Sequence, residues 1–452
     1  MKILVINGSP KGKYSATLQT SLYLEILHPE HSFEYLNAAS LIRQFEKDFS
    51  PAAGALKRAD LILFSYPVYT FLVPSQLHRF IELIKESGTD LSGKYVSQIS
   101  TSKHFYDITA HGFIRENCQD LGMKYIKGLS ADMDDLTSKK GRKEAEAFFD
   151  YLVWCTENGI YESAPPAQMP SPCMPVSVPD NVPGEKTGDV VIVADLSEDD
   201  AQLDSMIRRF TAVCPRKTRL VNIHDFPFRG GCISCFNCVA DGTCIYKDGF
   251  SELLRDSIQT AEAIVIAFSV KDHSMGSRFK TYDDRQFCNG HRTVTMGMPF
   301  GYLVSGNLSR EQNLSTVISA RCEVGGNFLA GIATDEFSPD AEIDSLAARL
   351  DYAVSNHYVQ PANFYGVGGM KIFRDLIWLM QGMMKADHRF YKSHGQYDFP
   401  QKKAGTMLAM YGAGYLFSNR ELKAKLGSKL NEGMIASYTK VLDKARKKQK
   451  RS

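Results

Sequence analysis

Four cysteines crowd one short stretch of the chain. Gly231-Cys232-Ile233-Ser234-Cys235-Phe236-Asn237-Cys238 is followed by Cys244, two residues past Gly242. The spacing, Cys-x2-Cys-x2-Cys-x5-Cys, lets four thiols converge from one glycine-bearing loop, as iron–sulfur clusters require. A four-cysteine zinc site is the chemical rival, although zinc more often draws on two separated Cys-x2-Cys knuckles. Unligated thiols are the third reading. The other six cysteines (Cys118, Cys155, Cys173, Cys214, Cys288 and Cys322) have no ligand spacing and are expected to be small buried side chains.

A second stretch is built for an anion. Asn7-Gly8-Ser9-Pro10-Lys11-Gly12-Lys13-Tyr14-Ser15-Ala16-Thr17-Leu18 links an apolar strand to a helical pattern. Gly8 and Gly12 permit a tight turn. Free N–H groups at the helix start attract an anion, and the hydroxyls of Ser9, Ser15 and Thr17 can donate to phosphate oxygens. Neither Gly-x-Gly-x-x-Gly nor Gly-Lys-Ser/Thr occurs here, which argues against a dinucleotide fingerprint or a P-loop. Two more loops reach the same sheet edge. Tyr66-Pro67-Val68-Tyr69-Thr70-Phe71 supplies aromatics that can flank a flat ring, and Thr101-Ser102-Lys103-His104-Phe105 is polar. One loop suits phosphate and two suit a planar ring.

The elements that position these loops alternate strand and helix. Strands are predicted at Lys2–Asn7, Phe33–Leu36, Leu61–Tyr66, Tyr95–Ser100 and Tyr125–Leu129. Strict alternation implies a doubly wound parallel sheet with its crevice beyond the strand C-termini. Proline-rich sequence follows, with Pro165, Pro166, Pro170, Pro172, Pro175, Pro179 and Pro183 forming an extended linker. A second α/β series then begins at Asp189-Val190-Val191-Ile192-Val193-Ala194. Arg58–Val68 is echoed at Thr260–Val270, an offset of 202, and Tyr125–Leu129 at Phe328–Ile332, an offset of 203. A near-constant offset favours duplication. The expected organisation is residues 1–160, a linker over 161–187, residues 188–360, and a helical extension with a basic tail over 361–452. In the extension, Lys371–His388 carries apolar residues at helical spacing, read as a helix covering a domain or an interface. The tail Lys444–Arg451 reads as a solvated helix end.

Bulk composition narrows the function classes. The chain has 452 residues, too many for one core, and a formal net charge of only +2, which gives no reason to expect nucleic acid or an anionic membrane as partner. The apolar run at the start is too short for an export signal and reads as a buried strand. No segment reaches the roughly 18 unbroken apolar residues of a membrane span. A cytoplasmic setting, with reduced or ligating cysteines, is therefore expected.

The Gly-Ser-Pro loop, the Pro-Val-Tyr loop with its Gln76-Leu77-x-x-Phe80 helix, and the Thr-Ser loop resemble the NADPH-dependent FMN reductase family of the flavodoxin-like superfamily over most of residues 1–155. The cysteine motif resembles that family's iron–sulfur flavoprotein branch, in which such cysteines hold a 4Fe-4S cluster near FMN. The resemblance implies two tandem flavodoxin-like domains. Ser9, Lys11, Ser15, Ala16 and Thr17 would hold the FMN phosphate, although Ala16 departs from the family's usual Asn. Pro67, Val68, Tyr69 and Thr70 would line one side of the ring, and Thr101, Ser102 and His104 another. Cys232, Cys235, Cys238 and Cys244 would carry the cluster. Ser274-Met275-Gly276-Ser277-Arg278-Phe279-Lys280 with Asp284-Arg285 resembles the helix after the third strand. In the second half, Asp195-Leu196-Ser197-Glu198-Asp199-Asp200 replaces Gly-Ser-Pro and Lys271-Asp272-His273 replaces the Tyr-led loop, so that half is expected to have lost FMN. The implied function is a flavin-dependent oxidoreductase passing electrons between FMN and the cluster, fed by NAD(P)H or a low-potential carrier. The alternative is a non-catalytic carrier serving a separate reductase, and a vestigial, zinc-structured binding protein is a third reading. The halves are expected to pair as a pseudo-dimer that brings the cysteine loop to the Tyr69 and His104 loops; the alternatives are two independent domains on a linker, or pairing only between chains.

Overall fold

The structure is a computed structural model describing residues 1–165, 173–179, 185–238, 242–418 and 447. Its first half holds β1 (Lys2–Asn7), β2 (Ser32–Leu36), β3 (Leu61–Pro67), β4 (Tyr95–Ser102), β5 (Lys124–Tyr125) and β6 (Leu129–Asp132). All pairs are parallel, in the order β2-β1-β3-β4-β5, with β6 also pairing β4. Parallel strands are covered by helices on both faces, which is why β1 and β3 read as unbroken apolar runs. The predicted strand Tyr125–Leu129 is in two pieces. At Gly128 a Cβ would come within 2.4 Å of the Gln98 carbonyl oxygen. The chain runs alongside β4 there too closely for a side chain and resumes pairing further along.

The second half repeats the plan with β7 (Thr187–Ala194), β8 (Arg216–Asn222), β9 (Ala263–Ser269), β10 (Pro299–Ser305) and β11 (Phe328–Thr334). Its order is β8-β7-β9-β10-β11, again parallel throughout. Each sheet therefore has the 2-1-3-4-5 order of a flavodoxin-like fold, whose crevice lies where the order reverses.

The two sheets belong to one compact unit, Met1–Phe390, and the rest of the chain, Tyr391–Ser452, forms another. Inside the first unit a single apolar core runs through both halves. Leu4, Ile6, Ile62 and Phe64 share it with Val191, Val193, Ile264 and Ile266. The outward faces have separate cores, around Val5, Leu63 and Phe149 in one half and Ile192, Val265 and Leu346 in the other.

The halves meet through equivalent helices, Ser75–Glu86 after β3 and Gly276–Arg285 after β9. Each lends a carboxylate to the other's first turn. The Ser75 amide donates to Asp284 Oδ2 at 2.7 Å. The Ser277 amide donates to Glu82 Oε1 at 2.7 Å and its hydroxyl to Oε2 at 2.6 Å. Ser75 and Ser277, and Glu82 and Asp284, are each 202 residues apart, the offset of the sequence echo. A carboxylate satisfies amide groups that a helix start leaves without internal partners.

Beyond β11 the helix Phe364–Leu379 packs on the helix Gln312–Gly325. It begins earlier than Lys371, because Asn363 caps it by accepting from the Tyr365 amide at 2.9 Å. It stops at Leu379, short of Gln381-Gly382, and the chain re-enters a helix at Lys385. The second unit contains the helix Ala404–Ser418. Of the proline linker, Pro166, Pro170, Pro172 and Pro183 lie outside the described residues, as does the basic tail apart from Lys447. Cys173, expected to be buried, is exposed because it sits in that linker. Among the described residues no helix is long and apolar enough to cross a membrane.

Candidate functional site

The loop after β1 is knit from within. Asn7 Nδ2 donates to the Gly12 carbonyl at 3.0 Å, and Asn7 Oδ1 accepts from the Ser9 amide at 3.2 Å. Ser9 Oγ accepts from the Lys11 amide at 3.3 Å. Ser15 caps the helix Ala16–Leu27 by accepting from the Leu18 amide at 3.3 Å. Thr17 Oγ1 and Thr101 Oγ1 lie 2.6 Å apart, joining the loops after β1 and β4. Ser9, Ser15 and Thr17 are all buried. Ser102 Oγ is buried with no protein partner at the wall of a cavity. A buried hydroxyl left open is what a bound polar ligand would satisfy.

The loop after β3 is held in an unusual shape. Thr70 and Phe71 have φ of 41° and 69°, a left-handed pair that costs about 1–3 kcal/mol per residue in non-glycine positions. The second half holds it there. Lys280 Nζ donates to the Tyr69 carbonyl at 3.0 Å, and Thr70 Oγ1 donates to Asp284 Oδ1 at 3.2 Å. Lys280 and Asp284 pair with each other, both fully buried. The equivalent turn, Lys271–Ser274, repeats the left-handed pair at Asp272 and His273 but carries different chemistry. His273 bridges the halves, with Nε2 at 2.9 Å from Asp120 and Nδ1 at 2.9 Å from Glu311. Burial disfavours its imidazolium, but the bonds to Asp120 and Glu311 outweigh burial and lift its pKa to about 10.

The cysteine loop lies against the first half. At Gly231 a Cβ would fall 2.1 Å from Ser75 Oγ, so only glycine admits the loop this close to that helix start. Gln76 Nε2 donates to the Cys232 carbonyl at 3.3 Å. The Lys11 ammonium sits 4.2 Å from the centre of the Phe236 ring. Burial pulls the Lys11 pKa down, and the adjacent Cys232 and Cys235 sulfurs act against it. The Tyr69 phenol, raised by burial, meets Ser234. Burial pushes the Cys232 thiol up to about 12 and the Cys238 thiol up to about 11. The Ser234 amide donates to Cys232 Sγ at 3.4 Å. Among the described residues, the group of three ligand-type side chains whose donor atoms lie within 4.8 Å of one another is Glu116, His273 and Glu311. No three of the four loop thiols form such a group among the described residues.

These pieces line one cavity of about 590 Å³, within the ordinary range of ligand sites. Ser9, Lys11, Ser15, Ala16, Thr17, Pro67, Val68, Tyr69, Thr70, Thr101 and Ser102 line it from the first half, and Cys232, Cys235, Cys238 and Cys244 from the second. His104 is not among the lining residues. Its ring turns to Asp107 at 3.0 Å, and Phe105 takes the cavity side. Sequence reading gave no site role to Lys280, Asp284 or Phe236, although Lys280 and Asp284 belong to the stretch that resembles the helix after the third strand. It also gave none for Cys288, a wall residue beside Cys244. These enter the site only through folding of the second half. The second half's own crevice is filled by acids. Asp200 accepts from Ser197 Oγ at 2.8 Å and Ser269 Oγ at 3.1 Å, and Asp195 pairs with His224 at 2.8 Å.

Two sheets in 2-1-3-4-5 order, joined around one crevice, define a tandem flavodoxin-like α/β protein. A family model described as a flavodoxin-like fold matches residues 1–146. An iron-sulfur flavoprotein of Archaeoglobus fulgidus is 25% identical over 179 residues, covering 36% of this chain and 78% of that protein. Among solved structures, general stress protein 14 of Treponema denticola in complex with FMN is 13% identical with a TM-score of 0.30, covering 34% of this chain and 99% of its own. An FMN-dependent NADH-azoreductase of Bacillus anthracis in complex with FMN is 15% identical with a TM-score of 0.27, covering 33% and 98%.

Proposed function

We propose that the chain is a flavin-dependent oxidoreductase that holds FMN in its first half and an iron–sulfur cluster in its second. The observation that carries this reading is the shared cavity, whose wall combines the hydroxyl loop, the Tyr69 turn and the four cysteines. Ser9, Lys11, Ser15, Ala16 and Thr17 hold the phosphate. Pro67, Val68, Tyr69, Thr70, Thr101 and Ser102 border the ring, with Ser102 Oγ free to bond it. His104 acts from behind this wall, orienting Asp107. Cys232, Cys235, Cys238 and Cys244 carry a 4Fe-4S cluster. The compact Cys-x2-Cys-x2-Cys-x5-Cys run, unlike the two separated knuckles that zinc more often uses, favours a cluster. When bound, FMN supplies both two-electron and one-electron exchange, and the cluster supplies one-electron exchange. NAD(P)H or a small low-potential carrier feeds the site.

The test is an absorption spectrum of anaerobically purified protein, followed by NAD(P)H consumption. Flavin bands together with broad iron–sulfur absorption are expected. Cys235→Ser should remove the second and keep the first. A colourless, zinc-containing protein would sink the reading. Flavin and cluster without NAD(P)H turnover would favour the alternative, an electron carrier serving a separate reductase.

A further inference from the structure

The helix Ala404–Ser418, Ala-Gly-Thr-Met-Leu-Ala-Met-Tyr-Gly-Ala-Gly-Tyr-Leu-Phe-Ser, contains no charged residue in its 15 positions. At 3.6 residues per turn its described large side chains, Met407, Leu408, Met410, Tyr411 and Tyr415, fall within about 160° of the circumference, and Gly405, Thr406, Ala409 and Gly412 occupy the other face. Where described, they face solvent: Leu408 is 74% exposed, Met410 61%, Tyr411 78% and Tyr415 83%. A helix without charge that exposes a face of large apolar side chains is not at rest in water and belongs against something apolar. Leu408, Tyr411 and Tyr415 follow one another at intervals of three and four, forming an aromatic ridge of the kind that settles at a lipid headgroup boundary.

The charge around this helix decides what covers it. Lys402 and Lys403 precede it. Residues 419–452 contain eleven Lys and Arg against three Asp and Glu, a surplus of eight positive charges. The whole chain is only +2, so residues 1–418 are net negative and the positive charge is segregated at one end. A second copy of the same tail would bring two strongly positive segments together, whereas an anionic lipid surface complements them. The even overall charge that excluded a membrane partner at first sight conceals this segregation.

We infer that residues 404–452 form a peripheral anchor for anionic membranes, in which the Ala404–Ser418 helix lies in the headgroup region and the basic tail binds acidic headgroups. Between Lys403 and Arg420 the uncharged run is 16 residues, short of the roughly 20 that a membrane span needs. It therefore lies along the surface. Apolar insertion and a polybasic segment are the two signals that together give stable attachment. This assignment is independent of what the cavity binds.

The full-length chain would be sedimented with phosphatidylcholine vesicles, with and without about one third phosphatidylserine. Binding to the acidic vesicles at least tenfold tighter than to neutral ones is expected, falling as salt is raised. Leu408→Glu/Tyr415→Glu should reduce acidic-vesicle binding at least tenfold while leaving the circular dichroism spectrum and melting temperature of the chain unchanged. Failure of the wild-type chain to bind acidic vesicles overturns the proposal. So does equal binding by the double variant, which would assign the attraction to charge alone. A wild-type dimer in lipid-free solution that the double variant abolishes also overturns it, by making a second copy the occupant. A double variant that melts at lower temperature overturns it in favour of packing within the chain.

Discussion

Lys280→Met keeps most of the side chain's apolar stem and deletes its ammonium. In the parent, that ammonium pairs with Asp284 and donates to the Tyr69 carbonyl, with both charged side chains fully buried. Removing one member of a buried pair costs about 3–5 kcal/mol, because the partner charge stays behind. Asp284 still receives the Ser75 amide and the Thr70 hydroxyl, which places the expected loss near 3 kcal/mol, at the low end. Lys280→Met/Asp284→Asn removes the stranded charge and leaves an amide oxygen for Ser75. Most of the stability should return, to within about 1–1.5 kcal/mol of the parent. The Tyr69 carbonyl still lacks Lys280, so the left-handed turn at Thr70 and Phe71 loses its tether. Urea denaturation of the full chain reads the first effect, and FMN titration of the flavin-free protein reads the second. The expected pattern is recovery of stability in the double variant without recovery of FMN affinity. A single variant that loses less than about 1 kcal/mol, or a double variant that regains both properties, refutes the reasoning.

Three further outcomes follow from the same geometry. His273 is charged in the folded chain up to about pH 10 but only to about pH 6.5 unfolded, so its stabilisation is complete below about pH 6.5 and is lost as pH rises to about 10; His273→Gln should flatten that alkaline loss of stability, and an unaltered pH profile counts against the clamp. Thr17→Val breaks the 2.6 Å link to Thr101 and removes a phosphate donor, and should weaken FMN by on the order of 1–2 kcal/mol in a fluorescence titration; unchanged affinity in both Thr17→Val and Ser15→Ala removes the phosphate assignment. Saturation with FMN should give one flavin per chain, since Asp195 and Asp200 fill the second crevice; a ratio near two contradicts this.

Sequence pattern reached the fold through features local to the chain. Short apolar strands, the punctuating loops and the 202-residue echo are each contained in a few neighbouring residues, and they correspond to β1, β2, β3, β4, β7, β9 and β11. The break at Gly128 was invisible because its cause is the distant Gln98 backbone. The site divides the same way. Loop residues such as Ser15 and Thr17 announce themselves by type and position. His104 looked equivalent to its neighbours, yet a positive φ of 55° turns it toward Asp107. Lys280 and Asp284 stand in the stretch that resembles the helix after the third strand, and nothing in that stretch marks them as buried. Their burial comes from the helix Ser75–Glu86, roughly 200 residues earlier, and no local pattern encodes that encounter.

The reciprocal carboxylate caps at Ser75 and Ser277 have a further consequence. In an assembly of two identical chains, a change in one wall of the crevice is imposed on both, and the pairing dissociates on dilution. Here both walls lie on one polypeptide, and each cap finds its partner at an effective concentration set by the tether alone. The two copies of the turn have accordingly gone separate ways. Tyr69-Thr70-Phe71 stays at the cavity, while Lys271-Asp272-His273 has become a fastening across the interface, with Lys85 on Asp272 and His273 between Asp120 and Glu311. Inheritance in a single gene lets one half specialise in containing a ligand and the other in closing it off, at a fixed one-to-one ratio in every molecule made.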